Sequence, residues 1–334
     1  MSIEFQIFSA PVSPEAGHVL GGARLGLPAP AAAAWPEQAV LAPLGGENSL
    51  REAWVSSEAC QSGLSEEIHW RRTGDLLYGV IELSEVDFAA EADGRFASLQ
   101  RLSQVVYERI FRLLDAQGLP CLWRVWNYIP AINAESNGLE RYRQFNIGRQ
   151  DAFIVHQRDA VGNVPAACAL GVAEGPLSIA FLAGKLPATP IENPRQVSAY
   201  EYPADYGPRS PTFSRAALVY PPDQEILFIS GTASIIGHQT VHVGDLAGQC
   251  RESMANIAAV VSEANRHTRG QPYQLGQLIY RVYFRHAADL AAVQAVLTPM
   301  LQGAPLVSYV QADVCRADLL VEIEAFAVQP LGAV

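Results

Sequence analysis

One order of elements occurs twice along this chain and restricts its fold more than any other feature: strand, long helix, strand, shorter helix, strand. In the first half, residues 76–83 read as a strand. Leu99, Leu102, Val106, Ile110 and Leu113 then recur at three- and four-residue steps, which collects them on one face of a helix that Gly118-Leu119-Pro120 ends. Residues 122–129, rich in aromatic and β-branched side chains, read as the next strand. A shorter helix is expected near 139–145, with strands near Phe153 and over 166–172. The second half offers a strand over 226–236, then a helix marked by Leu246, Cys250, Met254, Ile257 and Val261. A strand over 278–284, a helix over 290–301 and strands over 306–314 and 319–328 complete it. Residue identity between the halves is negligible, so the repeat rests on pattern. Two related α+β domains are expected, over 1–190 and 191–334, joined by the Pro- and Tyr-rich stretch 187–211. The first 60 or so residues are rich in Ala, Pro and Gly and offer only short strand-like runs.

Charge limits the partners. With 17% charged residues and about half apolar, the 334-residue chain is globular in composition, and its net charge of −11 repels phosphate backbones and anionic lipid. Neither nucleic acid nor membrane is expected as a partner, and any small anion must be held by a local cluster of arginines. No run of about 18 apolar residues occurs, and the opening MSIEFQIF carries an acid where a signal peptide needs a basic end. Cys60, Cys121, Cys168, Cys250 and Cys315 are scattered, without CxxC or Cys/His ligand spacing, as expected of reduced thiols in a cytoplasmic protein. His238 and His242 stand four apart in a Gly-bounded loop with no third ligand nearby, so no metal is expected; Asp245 reads as the cap of the following helix. Phosphate-loop, dinucleotide and G-x-S-x-G patterns are absent from the sequence, and no cofactor is expected.

Three stretches of the second half resemble the reactive-imine deaminase, or YjgF-like, family: Leu227-Phe228-Ile229-Ser230-Gly231, Asp245-Leu246 through Gln249 to Asn256-Ile257, and Val321-Glu322-Ile323-Glu324-Ala325. In that family the first Glu of the closing motif positions a water, and here it is Glu322. The family's carboxylate-binding Arg should fall near Val307, yet no Arg lies between Leu306 and Cys315, which argues against deaminase chemistry. The chain from about residue 120 onward resembles the chorismatases, built from two YjgF-like units. The matching segments are Arg124-Val125-Trp126-Asn127-Tyr128-Ile129, Gly138-Leu139-Glu140, Tyr142 with Phe145 and Gly148-Arg149, the run from Pro194-Arg195 to Tyr200, Tyr202-Pro203, Phe213-Ser214-Arg215-Ala216, and Ser230-Gly231-Thr232-Ala233-Ser234. The resemblance implies two YjgF-like (chorismate-mutase-like) α+β domains, mixed sheets packed on helices, and cofactor-free removal of pyruvate from chorismate. A monomer is expected, because two fused domains replace part of the trimeric arrangement of the deaminases.

Chorismate is a dianion with an enolpyruvyl ether beside a ring hydroxyl. Its carboxylates need clamps, and Arg supplies two parallel charge-assisted hydrogen bonds. The resemblance points to Arg149 and Arg195, with Tyr142 and Tyr202 as hydroxyl donors; Arg215, Arg124 and Arg281 are further candidates. It also makes Glu322 the acid that protonates the ether methylene. Strand alternation puts Glu322 and Glu324 on one face, where apolar neighbours favour the neutral carboxyl; Glu324 is left a structural part. Cys315, seven residues before Glu322, and Ala233 are the positions the resemblance connects with product type. Cys315 points to 3-hydroxybenzoate by shaping the ring pocket rather than by attacking it, whereas Ala233 in place of Gly leaves a share of 4-hydroxybenzoate open. The other readings are a hydrolytic chorismatase giving a dihydroxycyclohexadiene acid, an imine or enamine hydrolase, and a non-catalytic binder of aromatic acids.

Overall fold

The apolar stripe of the first half forms α1, Ser98–Gln117, with Leu99, Leu102, Val106, Ile110 and Leu113 all buried. Gly118 ends it in the left-handed region, at φ 66, where a side chain would be strained. In this computed structural model, which describes residues 2–8, 15–27, 31–46, 49–88, 97–301 and 303–331, the next helix is longer than its sequence suggests. α2 spans Arg141–Val155, so Phe153 lies in a helix and not in the strand expected there. The reason is tertiary. Phe145, Ala152 and Phe153 share a helical face, and Phe153 meets Phe111 of α1 edge to face with ring centroids 4.8 Å apart. Gly148 allows the close approach, since a Cβ there would stand 2.0 Å from the Gln100 carbonyl oxygen.

α1 and α2 cover one face of a seven-stranded sheet, whose order is Asp313–Val314, Ala166–Val172, Cys121–Pro130, Leu177–Gly184, Leu76–Leu83, Ile68–Thr73, Gln61–Ser65. A six-stranded sheet follows the order Thr189–Ile191, Ala216–Val219, Gln224–Ala233, Val321–Pro330, Ile279–Phe284, Leu306–Gln311. Its outer face is covered by α3, Leu246–Ala264, and α4, Leu290–Leu297, which is shorter than the 290–301 expected. In each sheet one parallel pair is spanned by the shorter helix, Cys121–Pro130 with Ala166–Val172 and Ile279–Phe284 with Leu306–Gln311. The repeat read from pattern is thus present as two mixed sheets, each backed by a long and a short helix.

The inner faces of both sheets share one core, where Trp126 and Tyr128 meet Phe228 and Tyr283. The N-terminal segment belongs to that core, contrary to its weak pattern. Ile3–Phe8, Ser49–Ser56, Val19–Gly26 and Glu37–Val40 form a four-stranded sheet that contributes Ile3, Leu20, Leu25, Val40 and Trp54. Glycine obscures the alternation there because it is needed for contact: a Cβ on Gly22 would lie 1.8 Å from the Glu52 carbonyl oxygen. The run 306–314, read as one strand, divides between two sheets. Leu306–Gln311 stays in the second, while Asp313–Val314 crosses to pair with Gly171 and Leu170 of the first. No helix among the described residues is long and apolar enough to cross a membrane.

Candidate active site

A cavity of about 260 Å³ opens where the two sheets meet, and Tyr142, Tyr202, Arg215, Ala233, Cys315 and Glu322 all line it. Each is delivered by a different element. Tyr142 is the second residue of α2, and Arg215 immediately precedes Ala216–Val219. Tyr202 lies between two short 3-10 turns, Ala199–Glu201 and Ala204–Tyr206, in the stretch read from sequence as a linker. Cys315 follows the crossing strand Asp313–Val314, and Ala233 and Glu322 are cross-strand partners. The register between those strands is irregular from Ile229 to Thr232, and Gly231 leaves the room that the Glu322 carboxyl fills. Ser230 fastens this corner across both halves, donating to the Ser214 carbonyl at 2.6 Å and accepting from the Ala167 amide at 2.9 Å.

Glu322 is 3% exposed. Burial, and then the negative charge of Glu324, push its carboxyl up to about 8, against the pull of Arg124 and Arg215. It is therefore a protonated acid at neutral pH. Cys315 is pushed up to about 12 by burial and by Glu322 beside it, so it stands there as a neutral thiol and not as a nucleophilic thiolate. Burial also lifts the Tyr142 hydroxyl far above its usual range, which keeps it a donor. Arg215 donates to the Tyr202 hydroxyl at 2.8 Å and to the Val197 carbonyl at 2.8 Å, and it stacks on the Tyr202 and Phe213 rings.

The two arginines given most weight from sequence stand elsewhere. Arg195 is held by Glu252 at 2.7 Å and Asn256 at 2.7 Å, both on α3, outside the cavity lining. Its motif neighbours are spent on structure: the Asn193 side chain accepts from the Arg195 amide, and Gly237 donates to its carbonyl. Arg149 is 2% exposed, further along α2 from Tyr142 and likewise outside the lining. Its guanidinium sits 5.1 Å from the Tyr107 ring centroid, and its Nε and Nη2 have no hydrogen-bond partner among the described residues. Its positive charge nonetheless reaches the Tyr142 hydroxyl. Arg124 and Arg281 are taken up as ion-pair partners of Glu324 beneath the cavity.

Two cations missed in the sequence do line the cavity, Arg143 and Arg316. Arg143 pairs with Glu140 at 3.3 Å; Arg316 donates to the His238 carbonyl at 2.9 Å and lies 4.2 Å from the Tyr206 ring centroid. Each directly follows a residue that was identified, Tyr142 and Cys315. His242 faces Glu252 at 3.7 Å, and the Asp245 side chain accepts from the Gly248 amide as the cap of α3. The cavity thus combines a neutral carboxylic acid and a neutral thiol with Arg143, Arg215 and Arg316, a set suited to an anionic substrate that must be protonated at carbon.

Residues 52–183 match the family described as "Chorismatase FkbO/Hyg5-like, N-terminal", and residues 212–329 match "Endoribonuclease L-PSP". A Streptomyces rapamycinicus protein named chorismatase is 38% identical over 285 residues, covering 83% of this chain and 82% of the relative. A Streptomyces hygroscopicus protein named 3-hydroxybenzoate synthase is 35% identical over 284 residues, covering 82% and 80%. A chorismatase crystal structure superposes with a TM-score of 0.86 at 32% identity, covering 98% of both chains.

Proposed function

This chain belongs to the chorismatase family, and on that premise we propose that it removes pyruvate from chorismate, with 3-hydroxybenzoate as the main product. The observation that carries this reading is the neutral Glu322 carboxyl, buried beside Cys315 and Ala233 in a cavity whose cations are Arg143, Arg215 and Arg316. Those guanidiniums are suited to hold the two substrate carboxylates, with the Tyr142 hydroxyl as a further donor.

Glu322 gives its proton to the methylene carbon of the enol ether, and the electron deficiency moves to the adjoining carbon as an oxocarbenium. The neighbouring ring hydroxyl attacks the ring carbon that bears the ether. The ring C–O bond breaks, pyruvate leaves as a ketone, and the hydroxyl proton returns to Glu322. The epoxide C–O bond at the carbon that first bore the hydroxyl then breaks, its oxygen takes the proton from Glu322, and the hydrogen on the carbon that keeps the oxygen leaves as a proton to the Glu322 carboxylate, giving the aromatic acid. Chorismate is thereby divided into hydroxybenzoate and pyruvate with no water consumed and no change of overall oxidation state. Neutral Cys315 keeps water from the ring. Ala233, directly across from Glu322, is the wall whose size bears on a share of 4-hydroxybenzoate.

The test is chromatography of the products after incubating the purified protein with chorismate alone. Pyruvate equal to the sum of the hydroxybenzoates is expected, with 3-hydroxybenzoate predominating. A dihydroxycyclohexadiene acid would replace the intramolecular step by capture of water, and unreacted chorismate would sink the activity.

A further inference from the structure

Five charged or acidic side chains from three sheets are buried where the sheets meet: Glu52 of the N-terminal sheet, Arg124, Arg281 and Glu324, together with Glu322 of the cavity lining. Arg281 reaches Glu52 with Nη2 and Glu324 with Nη1, the latter at 3.0 Å. Arg124 takes the other oxygen of Glu324, and the Tyr283 hydroxyl donates at 3.1 Å to the oxygen that Arg281 holds. We infer that Glu52 is a positioning residue for the acid: by engaging Arg281 it sets the balance of charge around Glu324 against which Glu322 works as a proton donor. This rests on the reading of Glu322 as the acid.

The count is simple. Two guanidiniums, which keep their charge, face three carboxyls, and all five side chains are less than a tenth exposed. Two of those carboxyls are ion-paired, and Glu322, which has no ion pair among the described residues, is the odd one left with a proton. The groups that face Glu322 from every side agree with this balance. They are Glu324 on its own strand, Arg124 and Cys168 from the first sheet, Arg215 ahead of Ala216–Val219, Cys315 from the crossing turn and Tyr142 from α2. Cys168, Cys315 and Tyr142 are neutral, and Arg215 is directed to the Tyr202 hydroxyl and the Val197 carbonyl. If Glu52 loses its charge, two guanidiniums face only Glu324 and Glu322, and the ionised form of Glu322 becomes the balanced one.

The experiment is the pH profile of kcat/KM for chorismate with Glu52→Gln. The alkaline limb is expected to move down by about one pH unit or more, so that activity near pH 8 falls about fivefold or more relative to wild type while activity near pH 6 stays within about threefold. A limb at the wild-type pH, with or without a uniform loss of rate, overturns the inference. If Glu52→Gln does not fold, the double variant Glu52→Gln/Arg281→Gln removes one charge of each sign. Its limb should sit at or above that of wild type, and a limb below it overturns the inference equally. Wild type that leaves chorismate untouched would instead sink the activity itself.

Discussion

The Glu322 carboxyl fills the space that a side chain on residue 231 would need: a Cβ at Gly231 would stand 1.9 Å from Glu322 Oε1. The glycine at the irregularity within strand Gln224–Ala233 is thus a spatial requirement of the Glu322 carboxyl. Gly231→Ala must push the carboxyl out of line, and a displacement near 1 Å in a reacting group costs about 100-fold in rate. We expect kcat/KM for chorismate to fall by about that factor with the far-ultraviolet circular dichroism unchanged. Activity within about twofold of wild type would mean that the carboxyl has freedom to move, and the close-contact argument would fail.

The buried acid also predicts how stability depends on pH. Its carboxyl stands at about 8 in the folded protein against an ordinary 4.5, so the folded state binds one proton more than the unfolded state between those values. Its contribution is therefore fully present below 4.5 and is lost as pH rises through about 8. Glu322→Gln, which cannot ionise, should lose turnover while keeping affinity for chorismate. Its Tm should also fall less than that of wild type between about pH 5 and about pH 8. Equal pH slopes in calorimetry would show that Glu322 is ionised throughout.

Arg195 should matter little to substrate binding. Its guanidinium is engaged by Glu252 and Asn256 and its side chain is one-third exposed. Arg195→Ala is expected to keep KM within about twofold and to lower stability by under about 1 kcal/mol, as for other partly solvated pairs. A tenfold rise in KM would return it to the substrate site.

The crossing turn that carries Cys315 is tied down by Arg285. Its Nε donates to the Leu319 carbonyl at 2.8 Å, Nη1 to Asp313 at 2.5 Å and Asn133 at 3.0 Å, and Nη2 to the Val314 and Arg316 carbonyls at 3.1 and 2.8 Å. Cys315→Ala enlarges the cavity beside the ring, and Arg285→Met lets the turn drift. Both variants should change the ratio of products, with water-derived diene acid rising at the expense of 3-hydroxybenzoate, by more than they change the total rate. An unaltered product ratio in Cys315→Ala would remove the reason for connecting this thiol with the product.

Much of the site was legible because it sits on regular strands. Alternation in Val321-Glu322-Ile323-Glu324-Ala325 fixes which face each side chain takes, and Val321, Ile323 and Ala325 do pack under α3 while the glutamates turn inward. The Asp245 cap was equally readable, because its partner is the amide three residues on. What local pattern did not carry was the placement of Arg149, Arg195 and Arg281 outside the cavity lining, whereas Arg215 does line it. A guanidinium is long and takes whichever carboxylate the fold brings near, so Arg195 goes to Glu252 and Arg281 to Glu52 for reasons that no local pattern carries. Phe153 misled in another way: an aromatic followed by Ile154 and Val155 reads as a strand until α1 is packed against it.

The crossing strand Asp313–Val314 settles when the corner that carries Cys315 can form during synthesis. The outer position of the first sheet, begun near residue 61, stays empty until residues more than 240 positions later have left the ribosome. Glu322 arrives later still. A nascent chain holding both long helices and most strands therefore has neither Glu322 nor Cys315 in place. Such distant pairing makes for slow folding, and for an edge along Ala166–Val172 that stays unpaired on that side until Asp313–Val314 has been made.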